Sequence, residues 1–360
     1  MKLGRRFPWS AFAFLCVAAI ASMNQAKATP QFARETNLSC NSCHRHIPLL
    51  NEFGQRFYAN GFRISKDDKM TKTIPAWGSL GAQATYAKSL GSSVPVSWAT
   101  TEIASYEFID QAKLLYHFEY QPTTQQTYIY GIHPFNKSYS VQVGEVGLLS
   151  QYDPRLDVFI SRPIYLSPGG AGYLGNGKNG PFAPGSNAYA VRGSVSLTGD
   201  SALPYSDGWK VAGTIPFSNE APCGLTPDFN KHPGGVFLEG FRRMGMNSYG
   251  VNMFTGQDGR RYYSGVVQEK VGKTLFFEGG VSYASFLQSQ TSAASIGTTW
   301  TPAWNKAFSL RVDDQDGYLN LVPNLSLLIG GKNSALMLVG ESTITHGVGP
   351  TTVVTAQLKF

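Results

Sequence analysis

From about residue 75 to the C-terminus, apolar and polar positions alternate in runs of roughly ten residues, broken by Gly, Pro, Asn and Asp. "SYSVQVGEVGL", "NAYAVRGSVSLTG", "YSGVVQEKVGKTLFFEGGVSYASF" and "TTVVTAQLKF" are examples. In the last, Phe360, Leu358, Ala356 and Val354 share one face, and Lys359, Gln357 and Thr355 share the other. A period of two predicts strands with one apolar and one polar face. The exception lies near the start. "IPLLNEFGQRFYANGFRI" spaces Leu49, Leu50, Phe53, Phe57 and Phe62 at close to helical intervals, and Gly61 is a stop signal. It predicts one amphipathic helix.

Two architectures accommodate the strands. A soluble sandwich or propeller buries its apolar faces against another sheet; a transmembrane barrel turns them to lipid and keeps polar residues inside. No blade-length repeat is visible. The chain ends on a strand with a terminal phenylalanine, and Tyr and Phe gather near strand ends as aromatic girdles require. The expected fold is therefore a mainly β, transmembrane antiparallel barrel. About 285 residues at roughly 16 to 20 per strand and turn give some 14 to 18 strands, with 16 the choice.

The first 28 residues read as a secretory signal. Lys2, Arg5 and Arg6 precede the apolar "AFAFLCVAAIA", and Ala26-Lys27-Ala28 supplies the cleavage pattern. The apolar run is too short for a membrane-spanning helix. Pro8 weakens a twin-arginine reading, and Leu15 before Cys16 weakens a lipoprotein one. Loss of this leader changes the charge argument. The chain carries a formal +7; Lys2, Arg5, Arg6 and Lys27 depart, and 7 − 4 leaves +3. The pI of 9.1 thus gives no support to nucleic-acid binding, and no Lys/Arg cluster interleaves with aromatics. Cys40, Cys43 and Cys223 remain, too few for a disulfide scaffold.

"NLSCNSCHRHIP" contains C-x-x-C-H, a haem-attachment pattern. The thiols of Cys40 and Cys43 add to the two vinyl groups of one haem c, and His44 reaches the iron from one face. A zinc site needs a second ligand pair, and none follows at suitable spacing. His46 is too close to His44 to reach the opposite face, and reads as a surface or propionate-side residue. Met70 is the distal-ligand candidate, against a solvated linker methionine or a position held by water. Met244, Met246 and Met253 are remoter candidates. Only about thirty residues separate the motif from Pro75, too few for an independent cytochrome core. The helix is expected to cover a haem face, and the barrel to complete the pocket.

The stretch "ATPQFARETNLSCNSCHRHIPLLNEFGQRFYANGF" resembles the fused monohaem cytochrome–porin family of outer-membrane iron(II) oxidases. Phe32, Ala33, Arg34, Cys40, Cys43, His44, Leu50, Phe53, Gly54, Phe57 and Gly61 stand in the positions of that family's pattern. The resemblance covers some 35 residues and is architectural over the barrel. The chain is short for the family, implying trimmed loops or fewer strands. It implies three parts: a signal peptide (1–28), a monohaem segment (29–74) that plugs or caps the barrel, and an outer-membrane barrel (75–360). It also implies electron transfer from extracellular Fe(II) to a periplasmic cytochrome or similar acceptor, an iron(II):cytochrome c oxidoreductase activity set in outer-membrane lipid. Outward electron transfer to an external acceptor, and a solute porin with a structural or gating haem, are the alternatives.

Other patterns are weaker. Gly170, Gly172 and Gly175 spell G-x-G-x-x-G without a βαβ context. Asp313, Asp314 and Asp316 could hold a surface cation, and read more simply as a solvated turn. Cys223 reads as a loop thiol, and His117, His133, His232 and His346 are scattered. No hydrolytic arrangement stands out.

Overall fold

The computed structural model describes residues 32, 36–64, 77–87, 96–109, 113–121, 126–147, 159, 161, 163–166, 187–199, 201–203, 206–219, 234–257, 259–286, 289–330, 335–345 and 349–359. The first half of the barrel comprises β1 (Trp77–Ala87), β2 (Val96–Ile109), β3 (Leu114–Gln121), β4 (Gln126–Pro134), β5 (Tyr139–Gly147), β6 (Asn187–Ser196), β7 (Gly208–Asn219) and β8 (Gly235–Met244). The second comprises β9 (Asn247–Gly256), β10 (Arg261–Val271), β11 (Leu275–Phe286), β12 (Ser289–Ala303), β13 (Lys306–Gln315), β14 (Tyr318–Gly330), β15 (Ala335–Thr345) and β16 (Gly349–Lys359). Each strand pairs with the next in sequence, and β16 returns to β1 from Ser79↔Lys359 to Ala87↔Thr351. These sixteen strands among the described residues form a closed antiparallel barrel, as the periodicity predicts. A single closed sheet leaves no room for the sandwich or propeller.

The alternation explains the closure. Val281, Ile296 and Leu310 face outward, 61%, 53% and 43% exposed, while their neighbours Ser282, Ser295 and Arg311 point inward and are buried. An apolar exterior around a polar interior is the inverse of a soluble core, and suits lipid outside. Val354 of the C-terminal strand is likewise exposed. Outward aromatics gather at two levels. Trp300 stacks on Phe308 at 5.6 Å near one end of β12 and β13. Tyr263 lies opposite Tyr283 near the other end of β10 and β11. Along β12, Trp300 and Ser292 (the partner of Tyr283) are separated by about 26 Å of strand. At a tilt of roughly 40° that is about 20 Å across the barrel, close to the apolar band of such proteins.

The two ends differ. One carries short connections such as Gly245-Met246 and Trp304-Asn305. The other receives the 148–186 connection between β5 and β6, part of which enters the lumen. There a 3-10 turn (Ile164–Leu166) puts Tyr165 against Phe241, Val266 and Ala293, and the Tyr262 hydroxyl donates to the Tyr165 carbonyl at 2.9 Å. Gly280 faces that ring. A Cβ there would lie 2.6 Å from it, so glycine permits the approach.

Ahead of the barrel stand α1 (Cys40–Cys43) and α2 (Glu52–Ala59). This segment braces across the short-turn mouth. Leu49 buries against Met246, Phe276 and Ala307, and Ile47 against Leu328. On the opposite wall Phe57 and Phe62 pack with Leu115, Ile132 and Leu203, and with the ring of Phe32. α2 starts later than the apolar spacing suggests. Asn51 caps it by accepting from the Gly54 amide at 2.9 Å, and Gly61 ends it at φ +72°. Phe57 and Phe62 are spent on the barrel wall, while Gly54 of the same helix faces the Cys40–Cys43 turn.

Candidate functional site

α1 is one helical turn, so Cys40 and Cys43, three positions apart, share a face. Neither is in a disulfide. Burial raises the Cys40 thiol above its ordinary range. Burial, with the neighbouring Cys40, pushes Cys43 up to about 11. Both are thus neutral thiols at pH 7, Cys40 buried and Cys43 half-buried. His44 leaves the helix in an extended conformation, and its amide donates to the Cys40 carbonyl at 2.8 Å.

After His44 the chain folds back. Arg45 N–H donates to Leu49 O at 2.9 Å, and Asn51 N–H to Cys43 O at 2.8 Å. This reversal sets the Pro48 carbonyl 3.2 Å from His44 Nδ1. A carbonyl there selects the tautomer with hydrogen on Nδ1, which makes Nε2, on the other ring edge, the basic nitrogen. Asn51 ties the two helices: its Nδ2 donates to Ser42 O at 2.9 Å and to Asn41 O at 3.3 Å. Gly54 presses onto the motif so closely that a Cβ would lie 2.1 Å from Cys43 O.

His44 lines a cleft of about 170 Å³ with Asn41, Arg45, Asn51, the end of β12 (Thr301, Pro302 and Ala303) and Trp304 just after it. That is smaller than the roughly 300–1,000 Å³ of a closed ligand pocket. A large planar ligand would be only partly enclosed by it. Two unbridged thiols on one turn and an imidazole with its tautomer fixed are the donors a covalent haem c would use; of these, His44 lines the cleft. The residues present fit that group.

His46 departs from expectation. It is not a surface residue but is fully buried, with Nδ1 2.9 Å from Trp304 O and Nε2 2.8 Å from Ser326 Oγ. Burial lowers its pKa to about 4, partly offset by the Trp304 carbonyl. It works as a bolt into the barrel wall. Arg45 Nη2 adds a bond to Lys273 O at 2.5 Å, and Lys270 pairs with exposed Glu52 at 2.9 Å, which holds the Glu52 carboxyl below its usual range.

Met70 lies outside the described residues, as do residues 1–28, Cys223, His232, His346 and the G-x-G-x-x-G stretch. Met246 is buried against Leu49, while Met244 and Met253 face outward at 39% and 38% exposure, away from the lumen. The three aspartates do not converge on a cation. Asp313 points inward and takes Arg311 Nε at 3.0 Å; Asp314 accepts from the Gly317 amide; Asp316 accepts from Thr291 and Ser292. His117 is buried beside Tyr130, and His133 sits against Phe135.

No known protein-family profile matches the chain, and no curated protein matches it in sequence. Solved structures do. The in-vitro-folded outer-membrane protein OmpT of Vibrio cholerae superposes with a TM-score of 0.50, covering 81% of this chain and 100% of that one at 9% identity. The outer-membrane channel DcaP of Acinetobacter baumannii gives 0.49 at 13% identity, over 79% and 96%. A mutant of the Rh. blastica porin gives 0.47 at 12%, over 80% and 100%. The fold is that of an outer-membrane porin. At such identities the likeness reaches no further than the fold.

Proposed function

We propose that this chain is an outer-membrane electron-transfer barrel: a porin-fold cylinder carrying one covalent haem c at its short-turn mouth, passing electrons from Fe(II) to a periplasmic carrier. The observation that carries the reading is the motif's geometry. Cys40 and Cys43 lie unbridged on one turn, and the Pro48 carbonyl fixes the tautomer of His44. A haem held there supplies one-electron chemistry.

The chain's own residues have defined tasks. Cys40 and Cys43 would hold the macrocycle through two thioethers. His44 would offer Nε2 to the iron, and Met70 is our candidate for a second ligand. Trp304 and Pro302 give the cleft an apolar wall, and Arg45, held by the Lys273 carbonyl, gives it a positive charge. His46, Leu49 and Phe57 hold the segment across the mouth. Barrels of this class keep short turns on the periplasmic side, which sets the mouth toward a periplasmic partner.

The deciding experiment is anaerobic addition of Fe(II) to the oxidised protein, following the haem absorption bands. Rapid conversion to a ferrous c-type spectrum supports the reading. Reduction by dithionite but not by Fe(II) refutes iron oxidation and leaves outward transfer.

The lumen favours a second reading, a solute porin closed or gated by the haem-bearing segment. Arg192, Glu239 and Asp313 line a polar interior, and Tyr165 narrows it. Solute flux through reconstituted protein that Fe(II) does not reduce favours it; no flux refutes it.

A further inference from the structure

Five exposed cations stand on the plugged mouth, and none makes an ion pair among the described residues. Arg56 is on α2; Lys113, Lys137 and Lys273 occupy the β2–β3, β4–β5 and β10–β11 turns; Lys306 opens β13. The carboxylates described at this end are already committed. Glu52 pairs with Lys270, Asp207 accepts from the Gly245 amide at 2.8 Å, and Glu269 takes the Tyr249 hydroxyl. These hydrogen bonds leave Asp207 and Glu269 charged, but the five cations with Lys270 outnumber the three carboxylates, so the mouth stays net positive among the described residues. Two of the five flank the cleft: the Lys273 carbonyl holds Arg45, a lining residue, and Lys306 follows lining Trp304 by two positions.

We infer that this collar is the docking face for an acidic, soluble electron-carrier protein that meets the chain at the His44 cleft. The inference rests on the electron-transfer reading above. Electron-transfer encounters bury little area, so steering by opposite charge sets how fast and how well oriented they are. A lipid headgroup is the other anion available. It does not account for Arg56, whose helix crosses inside the ring of strands between Lys270 of β10 and Leu115 of β3. Headgroups gather outside that ring.

The test uses the full-length barrel in neutral detergent and a variant combining Arg56→Gln, Lys137→Gln, Lys273→Gln and Lys306→Gln. Fluorescein-labelled polyglutamate is the binding probe. Ferricyanide and tris(phenanthroline)cobalt(III) are anionic and cationic oxidants of the reduced haem. The variant is expected to bind polyglutamate at least about tenfold more weakly at low salt, and to be oxidised about tenfold more slowly by ferricyanide. Oxidation by the cobalt complex should instead speed up. Both differences should fade at 1 M salt, where screening acts within roughly 3 Å. Equal polyglutamate binding by variant and wild type overturns the docking face, as does a variant whose only change is loss of co-purified phosphatidylglycerol. Wild-type protein that binds polyglutamate through these cations but carries no haem leaves the acidic docking face standing and refutes the electron-transfer reading instead.

Discussion

Replacing Gly54 by Ala sets two effects of opposite sign against each other. In a helix interior Ala is favoured over Gly by about 1 kcal/mol, so propensity alone predicts a firmer α2. The structure predicts the reverse. The new methyl would lie 2.1 Å from Cys43 O, 3.0 Å from Cys43 C and 3.1 Å from Leu50 Cδ2. An ordinary contact is about 3.5 Å, so the helix must retreat by roughly 1.4 Å from a backbone atom that cannot rotate away. Overpacking of this kind costs about 1–3 kcal/mol. The same retreat stretches Asn51 N–H···O Cys43 and Gly54 N–H···Oδ1 Asn51, each contributing about 1 kcal/mol. The clash wins, with a net loss of about 2 kcal/mol in seating the motif, or about 30-fold more opening. Iodoacetamide labelling of Cys43 in haem-free protein, followed by mass, reads that opening. Comparing variants at one pH cancels the raised thiol pKa. Gly193→Ala, where a Cβ meets nothing within 4 Å, is the control. Labelling of Gly54→Ala at or below the wild-type rate refutes the close-approach argument.

Cys40→Ala with Cys43→Ala should abolish covalent haem stain on a denaturing gel while leaving a heat-modifiable, membrane-inserted barrel; retained stain removes the attachment assignment. His46 makes the seat acid-labile. Its folded pKa of about 4 lies below the ordinary 6.5, so the released state binds the proton first. Stability is complete above pH 6.5 and falls by up to about 3 kcal/mol as pH drops to 4. Hydrogen exchange of α2, referenced to an unstructured peptide at each pH, should show this loss, and His46→Gln should flatten it. Tyr165→Ala should raise single-channel conductance, and Gly280→Ala should too by displacing the same ring; unchanged conductance in both places the narrowing elsewhere.

The barrel was legible because its signal is local. A period of two states which residues meet lipid, as at Val281 and Ser282, and chain length then limits the strand number. The grouping of Cys40, Cys43 and His44 on one turn was legible for the same reason, since the three lie close together in sequence. What the sequence hid are contacts whose partners lie hundreds of residues away. Nothing near His46 announces Trp304 O or Ser326 Oγ, so spacing alone placed it at the surface. Phe57 and Phe62 carried a correct amphipathic pattern, but Leu115, Ile132 and Leu203, against which they pack, come from wall strands and turns far along the chain. Asp313 looked like part of a turn until the inward register of β13 set it against Arg311. Asn51 gave a weaker signal: Asn immediately before a helical stretch is a capping pattern, and it also binds the preceding turn.

The placement of the motif limits how Fe(II) reaches it. The ten residues of β13 run from the plugged mouth to the opposite end, about 33 Å along the strand and roughly 25 Å across the barrel. A donor that stays outside on the loop side never touches the cleft, so iron oxidation requires the lumen to admit the ion past Tyr165. The porin reading and the electron-transfer reading therefore share one constriction. In proteoliposomes with Fe(II) on the loop side, Tyr165→Ala should raise the rate of haem reduction in step with conductance. A rate that ignores the constriction means that electrons reach His44 from the mouth itself. In that case the barrel wall serves as an anchor, and the flow belongs to the periplasmic side.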